Sequence, residues 1–311
     1  MINFYKTENN QIVSIANFAD GCWISAISPT ENEISYLVND LKLDPDFVRS
    51  SLDEEESSRI ENEDDQTLVI VDMPTMTNED NNTVHYTTMP IGIIITESNV
   101  ITISTAPNPV IDDIAKGVVK NVHTQLKTRF LLTLLFRGAT RYLMYLKQID
   151  RISSHLESKL HKSMKNQELI ELLGLEKSLV YFSTSLKSNE VTLEKILRGR
   201  VIKMYDEDQD LLEDVLIEVK QAIEMANIYS SILSGTMDAF ASIISNNLNI
   251  VMKVLTSITI LMAIPTMVFS FYGMNIENGL FLDQFQWFPL ALSVVATGIV
   301  AAILVKKNMF K

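Results

Sequence analysis

Two uncharged apolar runs near the C-terminus, 254–276 and 284–305, constrain this chain more than any other feature. They are 23 and 22 residues long, and an α-helix needs roughly 20 residues to cross the hydrocarbon core of a bilayer. Lipid offers no partners to backbone N–H and C=O groups, so spanning segments are helical, and two joined by so short a connection form a membrane hairpin. The connection carries Glu277 and Asp283, whereas Lys253 opens the first run and Lys306, Lys307 and Lys311 follow the second. This lysine asymmetry predicts that both termini lie on the cytoplasmic side of a cell membrane. Phe285, Trp287 and Phe288 fit an aromatic belt at the outer interface. The turn Tyr272-Gly273-Met274-Asn275 then stands at the outer mouth of the hairpin.

The rest of the 311 residues leaves room for one domain of ordinary size and accessory helices. With 26 basic against 39 acidic side chains the net charge is -13, which excludes non-specific nucleic-acid binding and suits a surface that attracts cations. The single cysteine, Cys22, excludes a disulfide within the chain, and the opening MINFYKTENN has no leader pattern. Residues 1–125 read as a cytoplasmic α/β domain, with strands expected at 23–27, 68–72, 83–96 and 100–104. Thr30 and Glu33 make a capping box for a helix through Leu41, and Asp44-Pro45 starts a short helix through Leu52. The acidic run 53–56, continued at 61 and 63–65, reads as a solvated loop, with a weak divalent-cation surface as the alternative. No nucleophile motif, phosphate-cradling glycine loop or histidine pair at metal-ligand spacing is present, so an enzyme is not expected.

Helical periodicity takes over from about 128. Accessory helices are expected within 126–205, a stalk helix over 206–253, a first membrane helix over 254–273, an outer loop over 274–284, a second membrane helix over 285–305, and a basic cytoplasmic tail over 306–311. From Asp210 to Phe271 only Gly235 and Pro265 oppose a helix; these 62 residues would extend about 93 Å at 1.5 Å each.

Two stripes run along this helix in alternating steps of three and four. One is apolar: Leu212, Val215, Val219, Ala222, Ala226, Tyr229, Leu233, Thr236, Phe240 and Ile243. The other is polar or small: Asp214, Ile217, Gln221, Glu224, Ile228, Ser231, Gly235, Asp238, Ser242, Ser245, Asn249, Met252, Thr256, Thr259, Ala263, Thr266 and Ser270. Outside the membrane the second stripe is explained equally well as the wet side of an amphipathic helix. Inside it, a lipid-facing helix gains nothing from Thr256, Thr259, Thr266 and Ser270, although small hydroxyl residues also suit helix-on-helix packing. Their alignment with Asp238 and Asn249 favours a water-filled, ion-conducting axis surrounded by several copies of the helix.

At Tyr272-Gly273-Met274-Asn275, ending the first of two C-terminal spans, the chain resembles the CorA family of magnesium transport proteins. Asn249-Ile250-Val251-Met252-Lys253-Val254-Leu255-Thr256, Pro265-Thr266 and the lysine-rich C-terminus support the resemblance. It implies a homopentamer with a funnel-shaped cytoplasmic α/β domain, a long stalk helix that becomes the pore, and an outer ring of second spans. By position it implies a selectivity filter of Tyr272, Gly273, Met274 and Asn275, with Asn275 as the selectivity ring and Glu277 just outside the mouth. Thr266 and Ser270 would line the outer pore; Asn249, Met252, Leu255 and Thr256 would form the inner pore and constriction, and Asp238 the vestibule. Asp214 would sense regulatory Mg²⁺ together with Glu79 or Asp80 of a neighbouring subunit. The segment after the signature reads Asn278-Gly279-Leu280-Phe281 where family members often have Met-Pro-Glu-Leu, which leaves the loop's form open.

The expectation is a channel-like transporter of divalent cations: Mg²⁺ uptake driven by membrane potential and gated by intracellular Mg²⁺, with no other cofactor. The alternatives are Co²⁺, Ni²⁺ or Zn²⁺ transport by the same fold, or a membrane-anchored sensor or scaffold without flux. Asn275 read simply as a polar residue ending a helix, with Gly273 as its cap, is the competing account of the turn.

Overall fold

Trp23–Ile27 and Val100–Ser104, short runs rich in β-branched and aromatic residues, pair in parallel at the middle of one seven-stranded sheet. The computed structural model describes residues 1–63, 65–78, 84–163, 166–199, 202–274 and 287–309. In chain order the strands are β1 (Ile2–Glu8), β2 (Gln11–Ile15), β3 (Trp23–Ile27), β4 (Arg59–Glu63), β5 (Gln66–Asn78), β6 (Val84–Ile95) and β7 (Val100–Ser104). Their order in the sheet is β2-β1-β3-β7-β6-β5-β4, and every pairing except β3 with β7 is antiparallel.

Three strands escape the sequence expectation. β1 and β2 are joined by Asn9 and Asn10, both in the left-handed region with φ of 49° and 62°. Asparagine tolerates that conformation better than most residues, and two such positions give a hairpin turn that matches the twist of the strands. β4, Arg-Ile-Glu-Asn-Glu, corrects part of the expected acidic loop: Glu61 and Glu63 stand in a ladder running from Arg59 opposite Ile70 to Glu63 opposite Gln66. Its charges suit an edge strand, where they oppose pairing with another chain.

On one side of the sheet lie α1 (Glu31–Asn39) and α2 (Pro45–Ser50). The Thr30 box is formed: the Thr30 N–H donates to Glu33 Oε2 at 2.8 Å and the Glu33 N–H to Thr30 Oγ1 at 3.4 Å. The Thr30 backbone donor, above all, holds the Glu33 carboxyl down to about 2. α1 stops at Asn39 instead of Leu41, with Asp40 as its C-cap. Asp44 caps α2 by accepting from the amides of Asp46 and Phe47 at 2.7 and 3.2 Å. Leu37, Phe47 and Val48 join Ile24, Ile70, Ile94 and Ile103 in a fully buried core. α2 comes so close to β6 that a Cβ added to Gly92 would lie 1.9 Å from Ser51 Oγ.

A short helix, α3 (Pro109–Ala115), follows β7; it too was not expected, although Asn108 caps it before a proline at its start. The long helices α4 (Lys127–Ser163) and α5 (Asn166–Gly199) pack on each other, Tyr142 with Phe182 at 5.0 Å between ring centroids, and α4 packs on β6, Tyr145 with Tyr86 at 5.2 Å. Asn189 of α5 completes the sheet where β4 has ended. It accepts from the Asp72 N–H at 2.9 Å and donates to the Asp72 carbonyl at 2.8 Å. The last helices are α6 (Asp206–Tyr272), 67 residues that continue through Pro265, and α7 (Phe288–Lys306). Two units divide the chain, Met1–Gly235 and Thr236–Lys311, and the division falls within α6.

Candidate functional site

The two stripes of α6 separate cleanly by exposure. In the first unit Leu212, Val215, Val219, Ala222, Ala226 and Leu233 are buried and Tyr229 is half-buried. Asp214, Ile217, Gln221, Glu224, Ile228, Ser231 and Gly235 are all exposed, including the apolar Ile217 at 62% and Ile228 at 55%. Two isoleucines left bare on a row of otherwise polar residues mark a face that the single chain does not cover.

In the second unit the same division persists. Asp238, Ser242, Ser245, Asn249, Met252, Leu255, Thr256, Thr259, Ala263, Thr266 and Ser270 are all exposed. Within 254–272 the less exposed residues of α6 are Val254, Ser257, Leu261, Ile264, Pro265, Val268 and Tyr272, mostly in steps of three and four. They match a similar set on α7: Ser293, Ala296, Thr297, Val300, Ala301 and Leu304. Tyr272 meets Phe288 at 6.1 Å between ring centroids, tying the end of α6 to the start of α7. At 100° per residue the seam and the polar stripe lie on nearly opposite sides of α6. The small residues of the seam, Ser257 and Ser293 above all, permit close approach of two membrane helices. They were missed in the sequence, where their signal is the recurrence of Ser, Ala and Thr along α7.

The hydroxyls of the stripe have a defined orientation. Thr259 Oγ1 donates to the Leu255 carbonyl and Thr266 Oγ1 to the Met262 carbonyl, both at 2.9 Å. With the proton committed to its own helix, each oxygen offers its lone pairs to other partners. Such a surface accepts hydrogen bonds from water around a cation, without a fixed charge to trap the ion.

Both helices are long and apolar enough to cross a membrane. Val294 and Val295 of α7 are 65% and 59% exposed, and Met262 and Met267 of α6 are 70% and 64% exposed, so neither is the buried core helix of a water-soluble fold.

At the end of α6 the Gly273 N–H donates to the Phe269 carbonyl at 2.9 Å. Gly273 is not in the left-handed region usual for a glycine that caps a helix. A Cβ there would lie 3.1 Å from the Phe269 carbonyl oxygen, a tight approach that glycine avoids. Tyr272 is half-buried and Met274 is 51% exposed. Asn275 and Glu277, and the sensor candidates Glu79 and Asp80, lie outside the described residues. Asp214 is exposed, and among the described residues no group of three His, Cys, Asp or Glu side chains converges as a metal site.

The family model for the CorA-like Mg²⁺ transporter protein matches residues 18–307. The chain belongs to this family. It is 29% identical over 287 residues to the cobalt/magnesium transport protein CorA of Methanocaldococcus jannaschii, covering 91% of this chain and 86% of that one. It is 28% identical over 232 residues to the protein of the same name from Thermotoga maritima, covering 69% and 62%. The solved structure of the CorA magnesium transporter from Methanocaldococcus jannaschii matches with a TM-score of 0.81 at 24% identity, over 98% of this chain and 96% of that one. This likeness extends the CorA fold through the α/β sheet, the long helices and the two candidate membrane helices.

Proposed function

We propose that several copies of this chain form a channel-like transporter of divalent cations, most simply Mg²⁺ uptake across the cell membrane driven by membrane potential. Family membership and the name shared by its relatives support the ion class. The observation that carries the mechanism is the continuous exposed stripe from Asp214 to Ser270, which becomes small and hydroxyl-bearing within the membrane run. Its exposure in one chain, opposite a seam already occupied by α7, suits α6 helices gathered around a common axis, five in the family's arrangement. Both termini are assigned to the cytoplasm from the flanking lysines.

Mg²⁺ keeps octahedral water and dehydrates reluctantly, so a ring of Asn275 amide oxygens holds the hydrated ion through its waters without stripping it. Oriented hydroxyls at Thr259 and Thr266 continue this role inward. Two positive charges moving inward through 100 mV gain about 4.6 kcal/mol, at about 2.3 per charge. No step requires ATP. Gating by intracellular Mg²⁺ is assigned to Asp214 with Glu79 or Asp80 of a neighbouring subunit.

Ion flux into proteoliposomes, with Mg²⁺, Co²⁺, Ni²⁺ and Zn²⁺ offered in turn, tests the reading. Mg²⁺ flux in the wild type and its loss in an assembled Asn275→Ala variant are expected. Flux of Co²⁺ or Ni²⁺ but not Mg²⁺ would change the ion, and no flux of any would leave a membrane-anchored sensor. Asp214→Asn is expected to weaken inhibition by Mg²⁺ on the cytoplasmic side, and unchanged inhibition would remove Asp214 from the sensor.

A further inference from the structure

We propose that Asp72 is a proton-operated clamp in the first unit, tightening the sheet against α4, α5 and α6 when protonated and loosening it when ionised. Asp72 interrupts a strand whose neighbours Val71 and Met73 are almost wholly buried. It lines a cavity of about 10 Å³ together with Tyr142 of α4, Asn189 of α5 and Val219 of α6, room for roughly one water molecule. Four elements therefore meet around this cavity.

The polar atoms around it are specialised. The Asp72 N–H and carbonyl are taken by Asn189, and the Tyr142 hydroxyl donates to the same carbonyl at 3.0 Å. Ser185, whose oxygen lies 2.9 Å from Thr88 Oγ1, is the hydroxyl that favours the ionised form of the carboxyl. Around Asp72 and its cavity, Tyr142 is the titratable group on α4; Ser185 and Asn189 lie on α5, Thr88 and Pro90 on β6, and Val219 on α6. None of these is a cation, and no ion pair reaches Asp72 among the described residues.

Asp72 itself is half-buried, and a carboxylate there without a cation beside it is costlier to ionise than one in water. Burial pushes the Asp72 carboxyl above the usual carboxylate range, and Ser185 pulls it partly back. The folded chain therefore binds this proton more tightly than the unfolded chain. The stability it contributes is fully present below the unfolded pKa and is lost as pH rises through the raised folded value. Val219 stands on the buried stripe of α6, so the clamp acts on the same helix that carries the exposed stripe. The inference concerns proton binding and holds whichever ion, if any, the protein moves.

The full-length protein in detergent micelles supplies the test, as thermal midpoints of wild type, Asp72→Asn and Ser185→Ala from about pH 4 to about pH 8. Asp72→Asn keeps the shape and removes the charge. It is expected to melt above wild type at neutral pH, with the gap closing on acidification. Ser185→Ala removes the bond that favours the carboxylate, so its own transition should move to higher pH than that of wild type. Amide exchange in β5 and α5, corrected for intrinsic pH dependence, should slow on acidification in wild type and not in Asp72→Asn. A gap between wild type and Asp72→Asn that does not change with pH, or a Ser185→Ala transition that moves to lower pH, would overturn the proposal.

Discussion

The two units of this chain solve opposite problems. The first closes on itself: its sheet buries Ile24, Ile70, Ile94 and Ile103 under α1 and α2, and the apolar stripe of α6 is covered as far as Leu233. The second has a narrow less-exposed seam within 254–272 of α6, where Tyr272 meets Phe288 of α7, and leaves most of its apolar surface bare among the described residues. The difference teaches what each side of α6 is for. Where a face is covered within the chain, substitution should cost stability. Where it is bare along the polar stripe, substitution should cost function and leave the fold intact.

The most severe way to break this comparison is a pair of substitutions within one turn of α6. Thr259→Leu puts an apolar side chain on the exposed stripe and removes an oriented hydroxyl. Flux in proteoliposomes is expected to fall to the background of empty liposomes, while the thermal midpoint stays close to wild type. Ser257→Leu overfills the seam, where Ser257 is wholly buried, and is expected to destabilise the helix pair by about 1–3 kcal/mol, read as a lowered midpoint in detergent. If Ser257→Leu abolished flux without loss of stability, and Thr259→Leu did the reverse, the two faces would be exchanged.

How much of this was legible follows from the range of the interactions involved. The α6 stripes and the Thr30 cap depend on residues three or four apart, so sequence spacing alone displays them. β4 does not: Arg59–Glu63 becomes a strand because β5 offers a ladder, and nothing local in Arg-Ile-Glu-Asn-Glu announces a partner. The Asn9-Asn10 turn was a local signal, but its flanking strands are too mixed in polarity to frame it. At the candidate site the exposed polar stripe was legible through its period, whereas the seam with α7 needed two helices brought together. Asn275 and Glu277 rest on the motif alone.

Within the first unit, Gly92 gives the next largest effect. A Cβ there would lie 1.9 Å from Ser51 Oγ, 2.3 Å from Ser51 Cβ and 3.1 Å from Ser51 Cα, so backbone as well as side chain would have to yield. Gly92→Ala is expected to cost about 1–3 kcal/mol in chemical denaturation, at the upper end because α2 must move. Asn189→Ala should cost about 1–3 kcal/mol, nearer the lower end, since it strands the Asp72 N–H but leaves room for water. Both are expected to leave the ion preference of the remaining folded protein unchanged. A change in preference would couple the sheet of the first unit to the exposed stripe of α6.

The smallest effect sharpens the comparison from the pH side. Glu33 is held down to about 2 by the Thr30 amide, so its ionised form is favoured by folding. The resulting stability is present above the unfolded carboxylate value, near 4.5, and is lost as pH falls through about 2. Glu33→Gln should therefore melt slightly below wild type at neutral pH, and the two should converge in strong acid. Asp72 has the opposite sign, because its burial favours the neutral form and its contribution is lost as pH rises. A double variant, Glu33→Gln with Asp72→Asn, separates the two by direction: the Glu33 contribution fades toward acid and the Asp72 contribution fades toward neutrality. The residues share no partner, so their effects should add at each pH. Failure of additivity would mean that α1 and the Asp72 cluster respond to protons as one cooperative body.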